Sequence, residues 1–548
     1  MTLLSVSQFS AQTTDRTLVR NMSFSVSQGA ITGIVGESGS GKSVTCMGLT
    51  RLLPKSILVK GNILFTDTQN NQIDLLNCEA ETLRRLRGKE ISYIFQEPMT
   101  ALNPVHTCGY QVEEVLTAHQ NLSKAERKKK VLALFEEVKL PDVERIYASY
   151  PHQISGGQRQ RVMISMAIAN DPRLLIADEP TTALDASVQK SIIDLLVSMV
   201  KQRNMAMIFI SHDLGCLRTV ADEILVMYQG NLVETGSSNH IFNHANHPYT
   251  KALMKTRPHY SQAGKRLPTI PDLLVEKPDG TFIEKEFHIQ KMSLLSVGEP
   301  VLEVKGLEKT YARKLLFRKK AANKPVLNNI NFTVNQGTTI GIVGESGCGK
   351  STLAKILTGL EKATQGSIVF HNRQSREAGR NIQMVFQDPF SSLNPSITGG
   401  EAIIEPMLVH KMVNKKEAKQ KALDLLNLTG LNESFFDKYP HQMSGGQRQR
   451  LCIARALSTE PSILILDEAV AALDVSVQSQ ILNLLKDIQF KLNLTYLFIS
   501  HDLNVVGYMA DSIMVLKNGF IEEQGHPHEI IRNPKSEYTR FLIQSMYE

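Results

Sequence analysis

Tyr150 to Arg161 reads Tyr-Pro-His-Gln-Ile-Ser-Gly-Gly-Gln-Arg-Gln-Arg, and Tyr439 to Arg450 reads Tyr-Pro-His-Gln-Met-Ser-Gly-Gly-Gln-Arg-Gln-Arg. In each copy a serine and two glycines lead into a helical pattern. They offer a hydroxyl group, bare backbone N–H groups and a helix N-terminus, which together favour binding of an anion such as phosphate. A single copy would more often be a glycine-rich helix cap.

The two copies are part of a repeat that runs through the chain. Lys42 and Lys350 are 308 residues apart, Gln96 and Gln387 are 291 apart, and equivalent positions after residue 155 are 289 apart. The sequence therefore predicts two tandem units. The first has 17 extra residues, around Thr66 to Gly88, which we expect to lie in surface loops outside the core.

The repeat divides the chain into a first unit, residues 1–256, a linker, residues 257–299, and a second unit, residues 300–548. The linker contains Pro258, Pro268, Pro271 and Pro278 among mixed charges, which is typical of a partly extended connection. The basic run 313–320 is interpreted as a solvated loop in preference to a contact with acidic lipid or a partner.

Apolar patterns recur in the same order in both units. Met22 to Val26 and Ile330 to Val334 alternate, which predicts strands of an antiparallel layer. Leu174 to Ala177 and Ile463 to Leu466 are continuously apolar, which predicts central strands of a parallel sheet covered on both faces. Each unit is thus predicted to be an α/β fold with a mainly parallel core sheet, an antiparallel β layer and a helical subdomain near 109–138 or 399–428.

The composition describes an ordinary globular protein. Of the 548 residues, 42% are hydrophobic and 21% are charged, and 61 Lys and Arg against 54 Asp and Glu leave a net charge of +7, which does not imply nucleic acid. The six cysteines are scattered without a C-x-x-C pair, which argues against a zinc or cluster site and fits a reduced, cytosolic setting. No run of 18 apolar residues occurs, so docking at a membrane would depend on partner proteins.

Gly36 to Ser43 and Gly344 to Ser351 both fit the pattern G-x-x-x-x-G-K-S. Each follows an apolar strand, Ile31 to Val35 or Thr339 to Val343, and precedes a helical pattern, which is the context that a phosphate-binding loop requires. The loop N–H groups and the lysine would hold phosphates and the serine would ligate Mg²⁺. The predicted loop residues are Gly36, Glu37, Ser38, Gly39, Ser40, Gly41, Lys42 and Ser43, and Gly344, Glu345, Ser346, Gly347, Cys348, Gly349, Lys350 and Ser351.

Two acidic residues follow each continuous apolar strand. Asp178 and Glu179 follow Ala177, and Asp467 and Glu468 occupy the same place in the second unit. The carboxyl ends of parallel strands are where open α/β sheets bind ligands. Phosphoryl transfer needs charge neutralisation and an oriented nucleophile, which such a pair can supply. Alone, two acids at a strand end are more often a solvated turn or a helix start.

Together these motifs resemble the ATP-binding cassette (ABC) ATPases, which implies ATP and Mg²⁺ as cofactors and two tandem cassettes. In that family the serine-glycine stretch is the signature motif, which contacts the γ-phosphate of an ATP held by the opposite cassette. Asp178 and Asp467 then belong to the Mg²⁺ shell, and Glu179 and Glu468 polarise the attacking water. The signature residues assigned by resemblance are Ser155, Gly156, Gly157 and Gln158, and Ser444, Gly445, Gly446 and Gln447.

The resemblance extends to three further motifs. Gln96 and Gln387 match the Q-loop, which ligates Mg²⁺ or orients water and couples the nucleotide to a membrane partner. His212 and His501 match the switch histidine at the end of the last sheet strand, which donates a hydrogen bond to the γ-phosphate. Asp185 and Asp474 match the D-loop, through which cassettes sense each other.

In this family two cassettes close head to tail, so each ATP is shared. The resemblance implies that Lys42, Glu179 and His212 face Ser444 and Gly446. It likewise implies that Lys350, Glu468 and His501 face Ser155 and Gly157, with both sites competent for hydrolysis.

Two features depart from the family pattern. Ala469 to Ala471 follow Glu468 where the first unit has Pro180 to Thr182, which leaves the catalytic residue types intact. The family stacks adenine on an aromatic residue before the loop, for which Tyr311 is suited. Near Thr13 the first unit has no aromatic residue, and its nearest candidate, Phe9, is interpreted as a core residue of a strand.

The motifs around the signature and Q-loop narrow the resemblance. Phe95 to Pro104, Phe386 to Pro395, His247 to Thr250 and the Tyr-Pro-His triplets are similar to the dipeptide, oligopeptide and nickel importer group. A fused ATPase subunit is implied, working with two permease subunits and an extracytoplasmic solute-binding protein at the cytoplasmic face of a bacterial membrane. The alternative is a tandem-cassette ATPase acting on ribosomes. The proline-interrupted linker argues against that alternative, which would be expected to have a long basic helical hairpin.

Overall fold

The computed structural model describes residues 1–96, 101–181, 184–277, 282–285, 298–311, 325–371, 378–471 and 473–545. The basic run 313–320 lies outside these residues. In the described part of the chain, each half contains one mostly parallel six-stranded sheet and one antiparallel sheet, and a two-stranded hairpin lies between the halves in sequence. The predicted α/β fold of two tandem units is confirmed.

The six-stranded sheets hold the loops and acids of the predicted site. In the first half the strand order is β10-β9-β3-β8-β7-β6, and all neighbouring pairs are parallel except β10 with β9. Strands β3, β7 and β8 are buried along their whole length, which explains their continuous apolar sequence. The strands of the first half are β1 (Thr2–Gln12), β2 (Thr17–Ser27), β3 (Ile31–Val35), β4 (Leu58–Thr66), β5 (Gln72–Asp74), β6 (Ile91–Ile94), β7 (Leu174–Asp178), β8 (Ala206–Ile210), β9 (Glu223–Tyr228) and β10 (Asn231–Ser237).

The second half repeats this sheet in the order β17-β18-β19-β15-β20-β21, again with only the last strand antiparallel. Each switch histidine follows the fourth strand of its sheet in chain order, β8 or β19, and two more strands come after it. The expectation that this strand is the last of the sheet is therefore wrong. The later strands of the chain are β11 (Leu274–Glu276), β12 (Phe282–Glu284), β13 (Pro300–Lys309), β14 (Leu327–Asn335), β15 (Thr339–Val343), β16 (Gln365–Phe370), β17 (Ile382–Val385), β18 (Ile463–Asp467), β19 (Thr495–Ile499), β20 (Ser512–Lys517) and β21 (Phe520–Gly525).

The antiparallel sheets pack over the phosphate-loop side of each half. Their orders are β2-β1-β4-β5 and β14-β13-β16. Leu4 and Val6 of β1, and Leu302 and Val304 of β13, are buried on the inner face in the same register. The alternating pattern thus places apolar residues towards the core and polar residues towards solvent.

The extra segment of the first half is built into the core, contrary to the expectation of surface loops. It forms strand β5, which adds a fourth strand to the antiparallel sheet, and a helix from Ala80 to Leu86. Leu75, Leu83 and Leu86 are at most 5% exposed. The Arg87 guanidinium donates to the carbonyl oxygens of Thr50 and Arg51, just beyond the helix that follows the phosphate loop. Burial of the apolar side chains in this segment stabilises the fold, and a solvent-exposed loop would lack that contribution.

Helices cover both faces of the sheets and form the helical subdomains. The predicted subdomain regions 109–138 and 399–428 each contain two helices in the structure. In the first half the helices are α1 (Lys42–Leu49), α2 (Ala80–Leu86), α3 (Cys108–His119), α4 (Lys124–Glu137), α5 (Val143–Ala148), α6 (Gly156–Ile168), α7 (Ala186–Arg203), α8 (Leu214–Val220), α9 (Ser238–His244) and α10 (Pro248–Lys255). The later helices are α11 (Ile270–Leu273), α12 (Lys350–Leu357), α13 (Ala378–Asn381), α14 (Pro389–Ser392), α15 (Gly399–Val409), α16 (Lys415–Leu428), α17 (Gly445–Leu457), α18 (Val475–Leu492), α19 (Leu503–Met509), α20 (Pro527–Arg532) and α21 (Glu537–Gln544). Short 3-10 turns span Pro151–Gln153, Tyr260–Gln262, Glu433–Phe436 and Pro440–Gln442.

The described part of the linker packs against both halves. Leu267 is fully buried in the core of the second half, and its backbone exchanges two hydrogen bonds with the Asn483 side chain, at 3.0 and 2.9 Å. A few residues later, Ile270 and Leu273 are buried in the core of the first half. The chain therefore crosses from one half to the other and back within this segment. None of the helices in the described residues is long and apolar enough to span a bilayer.

Candidate active site

The two phosphate loops each join a buried strand to a helix. Gly41 and Gly349 precede α1 and α12 with φ of 101° and 114°, in the left-handed region where residues with a Cβ are strained. Gly36 meets a second constraint, since a Cβ there would collide with the Met227 carbonyl oxygen. The glycine pattern thus follows from the backbone path of the loop.

The loop lysines lie over the first residues of their own loops. Lys42 Nζ donates to the carbonyl oxygens of Gly36 at 2.8 Å and Glu37 at 3.0 Å. Lys350 Nζ makes the same two bonds to Gly344 at 2.6 Å and Glu345 at 3.0 Å. Both lysines are 6% exposed. A buried ammonium group at a ring of N–H donors is suited to a polyphosphate.

The aspartates at the strand ends lie beside the loop serines. Ser43 Oγ donates to Asp178 Oδ1 at 3.2 Å, and the Tyr93 hydroxyl donates to Asp178 Oδ2 at 2.9 Å. Burial raises the pKa of Asp178, and these two hydrogen bonds oppose that rise. Asp467 has the same serine contact, with Ser351, and burial again raises its pKa. A hydroxyl and a carboxylate side by side are the hard oxygen donors that Mg²⁺ prefers together with phosphate and water.

Each glutamate forms a cluster with the Q-loop glutamine and the switch histidine of its own half. In the first half, Gln96 Nε2 donates to Glu179 Oε2 at 3.1 Å, and His212 Nδ1 lies 3.2 Å from the same oxygen. Burial lowers the pKa of His212, but the hydrogen bond and charge of Glu179 together with the charges of Asp213 and Asp474 outweigh it, so the pKa lies above its ordinary value. Gln96 and His212 thus both contact the same carboxylate oxygen of Glu179.

The second half has the same cluster. Gln387 Nε2 donates to Glu468 Oε2 at 2.6 Å, and His501 Nδ1 lies 3.6 Å from that oxygen. Burial raises the pKa of Glu468, but His501, Lys350 and Gln387 together outweigh it and the pKa lies below its ordinary value. Glu179 and Glu468 have φ of 46° and 49°, a left-handed backbone that costs about 1 kcal/mol or more and directs the side chain out of the strand.

Ser155 and Ser444 begin the signature helices α6 and α17. The Ser155 hydroxyl accepts from the Gln158 N–H at 3.3 Å, and Gln158 Oε1 accepts from the Ser155 N–H at 3.1 Å. Ser444 and Gln447 form the same capping box, at 3.4 and 2.9 Å. The helix-cap interpretation is therefore correct as local structure. Each serine hydroxyl keeps its own proton to donate to a ligand.

The signature of the first half lies opposite the phosphate loop of the second half. Ser155, Gly156 and Gly157 line a cavity of about 760 Å³ together with Lys350, Gln387, Glu468 and His501. Asp185 lines the same cavity, and burial raises its pKa against the charges of Lys350 and His501 and a hydrogen bond from the Ser346 backbone. Ser187 Oγ donates to Glu345 Oε1 at 2.7 Å. Residues from both halves thus surround this site.

At the other site, the described contact between halves is made by the D-loop. The Ser38 N–H donates to Asp474 Oδ2 at 2.9 Å, which mirrors the contact of Asp185 with Ser346. Burial raises the pKa of Glu37, which lies next to Ser476 and Asp474 of the second half. The described bonds of Ser444 are with its own helix, so its predicted approach to Lys42 stays a prediction.

Comparison with known proteins identifies the family. The family model described as "ABC transporter" matches residues 19–182 and 327–471. The model described as "Oligopeptide/dipeptide transporter, C-terminal region" matches residues 233–280. The chain belongs to the ABC transporter family. Its two halves are ABC cassettes, and cassettes of this family bind and hydrolyse ATP to power transport.

Similar curated proteins cover almost the whole ABC chain. A protein named glutathione import ATP-binding protein GsiA from Shigella boydii is 41% identical over 541 residues, covering 96% of this chain and 86% of its own length. The protein of the same name from Salmonella paratyphi A is 42% identical over 540 residues, with the same coverage. The solved structure of cbiO1 from Clostridium perfringens is 31% identical, covers 43% of this chain and 92% of its own length, and has a TM-score of 0.38. The predicted membership of the peptide-type importer group is confirmed, and the chain is an ATP-hydrolysing importer subunit.

Tyr311 and Phe9, the two aromatic candidates for adenine, differ in exposure. Tyr311 is 44% exposed, lines the cavity of the second cassette's loop and has Lys309 Nζ 4.7 Å from its ring centre. Phe9 is fully buried in β1, as the core interpretation predicts. The Tyr311 ring is therefore accessible for stacking against adenine, whereas Phe9 has no exposed face.

Sequence reasoning missed three tyrosines of the ABC site. Tyr93 binds Asp178 from β6, and the second cassette has Met384 at the matching place in β17. Tyr249 and Tyr538 accept hydrogen bonds from the phosphate loops. The sequence signal for Tyr249 was present, because it belongs to the His247 to Thr250 motif that pointed to peptide importers.

Proposed function

We propose that the two cassettes work as an intramolecular pair, with two Mg²⁺-ATP sites shared between them, and that this pair drives uptake of peptides or related small solutes. The observation that carries the proposal is the cavity of about 760 Å³ in which the first signature faces the second phosphate loop. Its lining supplies the backbone donors, ammonium, carboxylate and imidazole groups that phosphoryl transfer requires.

Each phosphate loop would bind the β- and γ-phosphates through its N–H groups and Lys42 or Lys350. Mg²⁺, held by Ser43 with Asp178 or by Ser351 with Asp467, would neutralise phosphate charge, and the Q-loop glutamines complete its predicted ligand set. Among the residues that the structure describes, no group of three His, Cys, Asp or Glu could hold a metal ion. The serine and aspartate pairs fit an ion whose other ligands are phosphate and water.

Glu179 and Glu468 would orient and deprotonate the attacking water, and His212 and His501 would hold the γ-phosphate. Each glutamate contacts the glutamine and the histidine of its own half, so the groups that would orient water and hold the γ-phosphate lie side by side. ATP favours the closed pair and hydrolysis products favour the open one, because the two states differ in affinity for them.

We further propose that two permease subunits and an extracytoplasmic solute-binding protein complete the importer, at the cytoplasmic face of a bacterial inner membrane. The match of residues 233–280 to the oligopeptide/dipeptide region and the similarity to the glutathione import proteins support this assembly. They do not favour the ribosome-bound alternative. Glutathione, a tripeptide, falls within the proposed solute class.

Affinity purification of the tagged chain from its native cells tests this proposal. After mild detergent treatment of separated membranes and ribosomes, we expect two polytopic permeases to co-purify from the membrane fraction. A chain with Lys42→Ala and Lys350→Ala provides the control, since it should keep the permeases but lose ATPase activity. Recovery with ribosomes and without permeases would overturn the importer assembly.

A further inference from the structure

Two tyrosines outside the phosphate loops bind the same position of each loop. The Glu37 N–H donates to the Tyr249 hydroxyl at 3.3 Å, and the Glu345 N–H donates to the Tyr538 hydroxyl at 3.0 Å. Tyr249 is fully buried and Tyr538 is 7% exposed. They begin helices α10 and α21, which lie far along the chain from the loops, so the contact is built twice by separate segments.

Each tyrosine helix is attached to the last hairpin of its own sheet. Glu234 accepts from the N–H groups of Asn246 and His247, at 2.7 and 3.2 Å. Glu523 accepts from the N–H groups of Lys535 and Ser536, at 2.9 and 3.2 Å. The helix starts are therefore held by equivalent carboxylates.

The rings of the two tyrosines have different neighbours. Tyr249 packs on Tyr228 at a centroid distance of 4.4 Å, whereas Lys517 Nζ lies 4.8 Å from the centre of the Tyr538 ring. What the two cassettes share is the hydroxyl bond to the loop. The hydroxyl contact is the same in both cassettes although the two rings pack differently. This points to a role for the hydroxyl itself.

The peptide unit that each tyrosine binds is the one that the loop lysine also binds. The Gly344 carbonyl oxygen accepts from Lys350 Nζ at 2.6 Å, and the N–H of the same peptide unit, that of Glu345, donates to Tyr538. The Gly36–Glu37 unit is held in the same way by Lys42 and Tyr249. If the lysine turned to phosphate, the tyrosine would still bind the N–H of this unit.

The side chain on this peptide unit reaches the opposite cassette. The Glu345 carboxylate accepts from Ser187 Oγ at 2.7 Å, and the next N–H, that of Ser346, binds Asp185. Rotation of the peptide unit would displace both contacts. The orientation of one peptide unit thus links the tyrosine of one cassette to the D-loop region of the other.

We propose that Tyr249 and Tyr538 are positioning residues that hold the first peptide unit of each phosphate loop, so that Glu37 and Glu345 stay aligned with the opposite cassette during closure. This inference rests on the proposed sharing of ATP between cassettes. The tyrosines should therefore affect the rate of turnover, because they act on closure of the two cassettes. They should have little effect on nucleotide binding to the open chain.

The test compares the full-length chain with the pair Tyr249→Phe and Tyr538→Phe, which removes only the hydroxyl groups. We expect kcat for ATP hydrolysis to fall about three- to tenfold, as for loss of one ordinary hydrogen bond per site, with KM changed less than twofold. Tyr228→Phe is the matched control, because its hydroxyl belongs to the same ring cluster and its described bond is to Gln229. The control should keep wild-type kcat and KM.

A further change, Ser187→Ala, removes the hydroxyl that donates to Glu345 and so separates positioning from general stability. If Tyr538 acts through Glu345, combining Tyr538→Phe with Ser187→Ala should lower kcat no further than the stronger of the two single changes. Unchanged kcat in the tyrosine pair, an equal loss in Tyr228→Phe, or multiplied losses in the combined variant would overturn the inference. Glu179→Gln and Glu468→Gln test the ATPase sites with these residues intact, so failure of the inference and of the proposed function can be told apart.

Discussion

Glu179 and Glu468 are the residues on which the proposed chemistry depends. Replacement of each by glutamine keeps the size of the side chain but removes its ability to accept a proton. We expect each single variant to lose turnover sharply and the double variant to lose about 10²-fold or more, as for removal of a general base. ATP binding should be preserved, because the loop N–H groups and lysines are untouched.

Steady-state hydrolysis and nucleotide-binding measurements on the same preparations check this prediction. Glu223→Gln is the control, since Glu223 is exposed at the start of β9. Near-normal turnover in the double variant would refute the assignment of both glutamates as the base.

At the residue scale, the loops and strand-end acids could be predicted because each motif is local in sequence and carries its own chemistry. The partners of these residues could not. Tyr93 binds Asp178 across 85 positions, and Tyr249 binds Glu37 across 212. A tyrosine in an apolar strand or helix start gives no sign of which distant group its hydroxyl will meet, since that depends on how the sheet and its last hairpin pack.

The D-loops are the elements through which each cassette contacts the loop of the other. Asp474 accepts from the Ser38 N–H at 2.9 Å, and Asp185 from the Ser346 N–H. Asp474→Ala and Asp185→Ala together should lower turnover about fivefold and raise the apparent KM for ATP, because a charge-assisted bond that favours closure is lost at each site.

Hydrolysis rates over a range of ATP concentrations measure this effect. Asp194→Ala removes the same charge from an exposed position of α7 and should leave both parameters unchanged. If the D-loop pair behaves like this control, these two hydrogen bonds do not contribute to closure.

At the element scale, strands with a continuous apolar sequence were predictable, whereas elements in segments of mixed polarity were not. The strands Ile31–Val35 and Thr339–Val343 match their apolar runs to the residue. The segment from Thr66 to Gly88 is predicted to form surface loops because extra length in one copy of a repeat usually lies there, but Leu75, Leu83 and Leu86 bury it against the core. Its strand depends on an open edge of the antiparallel sheet, which the local sequence does not reveal.

At the scale of the whole molecule, the linker keeps the cassettes together in a way that motifs alone do not indicate. Its proline content predicted a partly extended connection, but burial of Leu267 in one cassette and of Ile270 and Leu273 in the other requires the tertiary structure. In the proposed cycle, opening of the pair after hydrolysis would have to occur about a segment that is attached to both cassettes.

Asn483 and Arg266 allow this attachment to be tested, because each forms a contact between the linker and the second cassette but the two contacts differ in burial. Asn483 is 2% exposed and satisfies both the N–H and the carbonyl oxygen of Leu267. Asn483→Ala would remove both buried hydrogen bonds between this side chain and the Leu267 backbone, at a cost of about 1–3 kcal/mol. Arg266 pairs with Asp487, and the two side chains are 37% and 51% exposed. Arg266→Ala should cost at most about 1 kcal/mol, as for an exposed ion pair.

Thermolysin, which cuts before apolar residues and whose cleavage sites neither change removes, can report on the linker. We expect Asn483→Ala to be cut faster between residues 257 and 285 and to unfold at lower temperature, whereas Arg266→Ala should resemble wild type in both. The two variants should differ because water can replace the exposed ion pair of Arg266 but cannot reach the Leu267 backbone while Leu267 stays buried. Equal cleavage of the two variants would show that the linker is not held by its buried contact, and that the cassettes are kept together by their nucleotide sites instead.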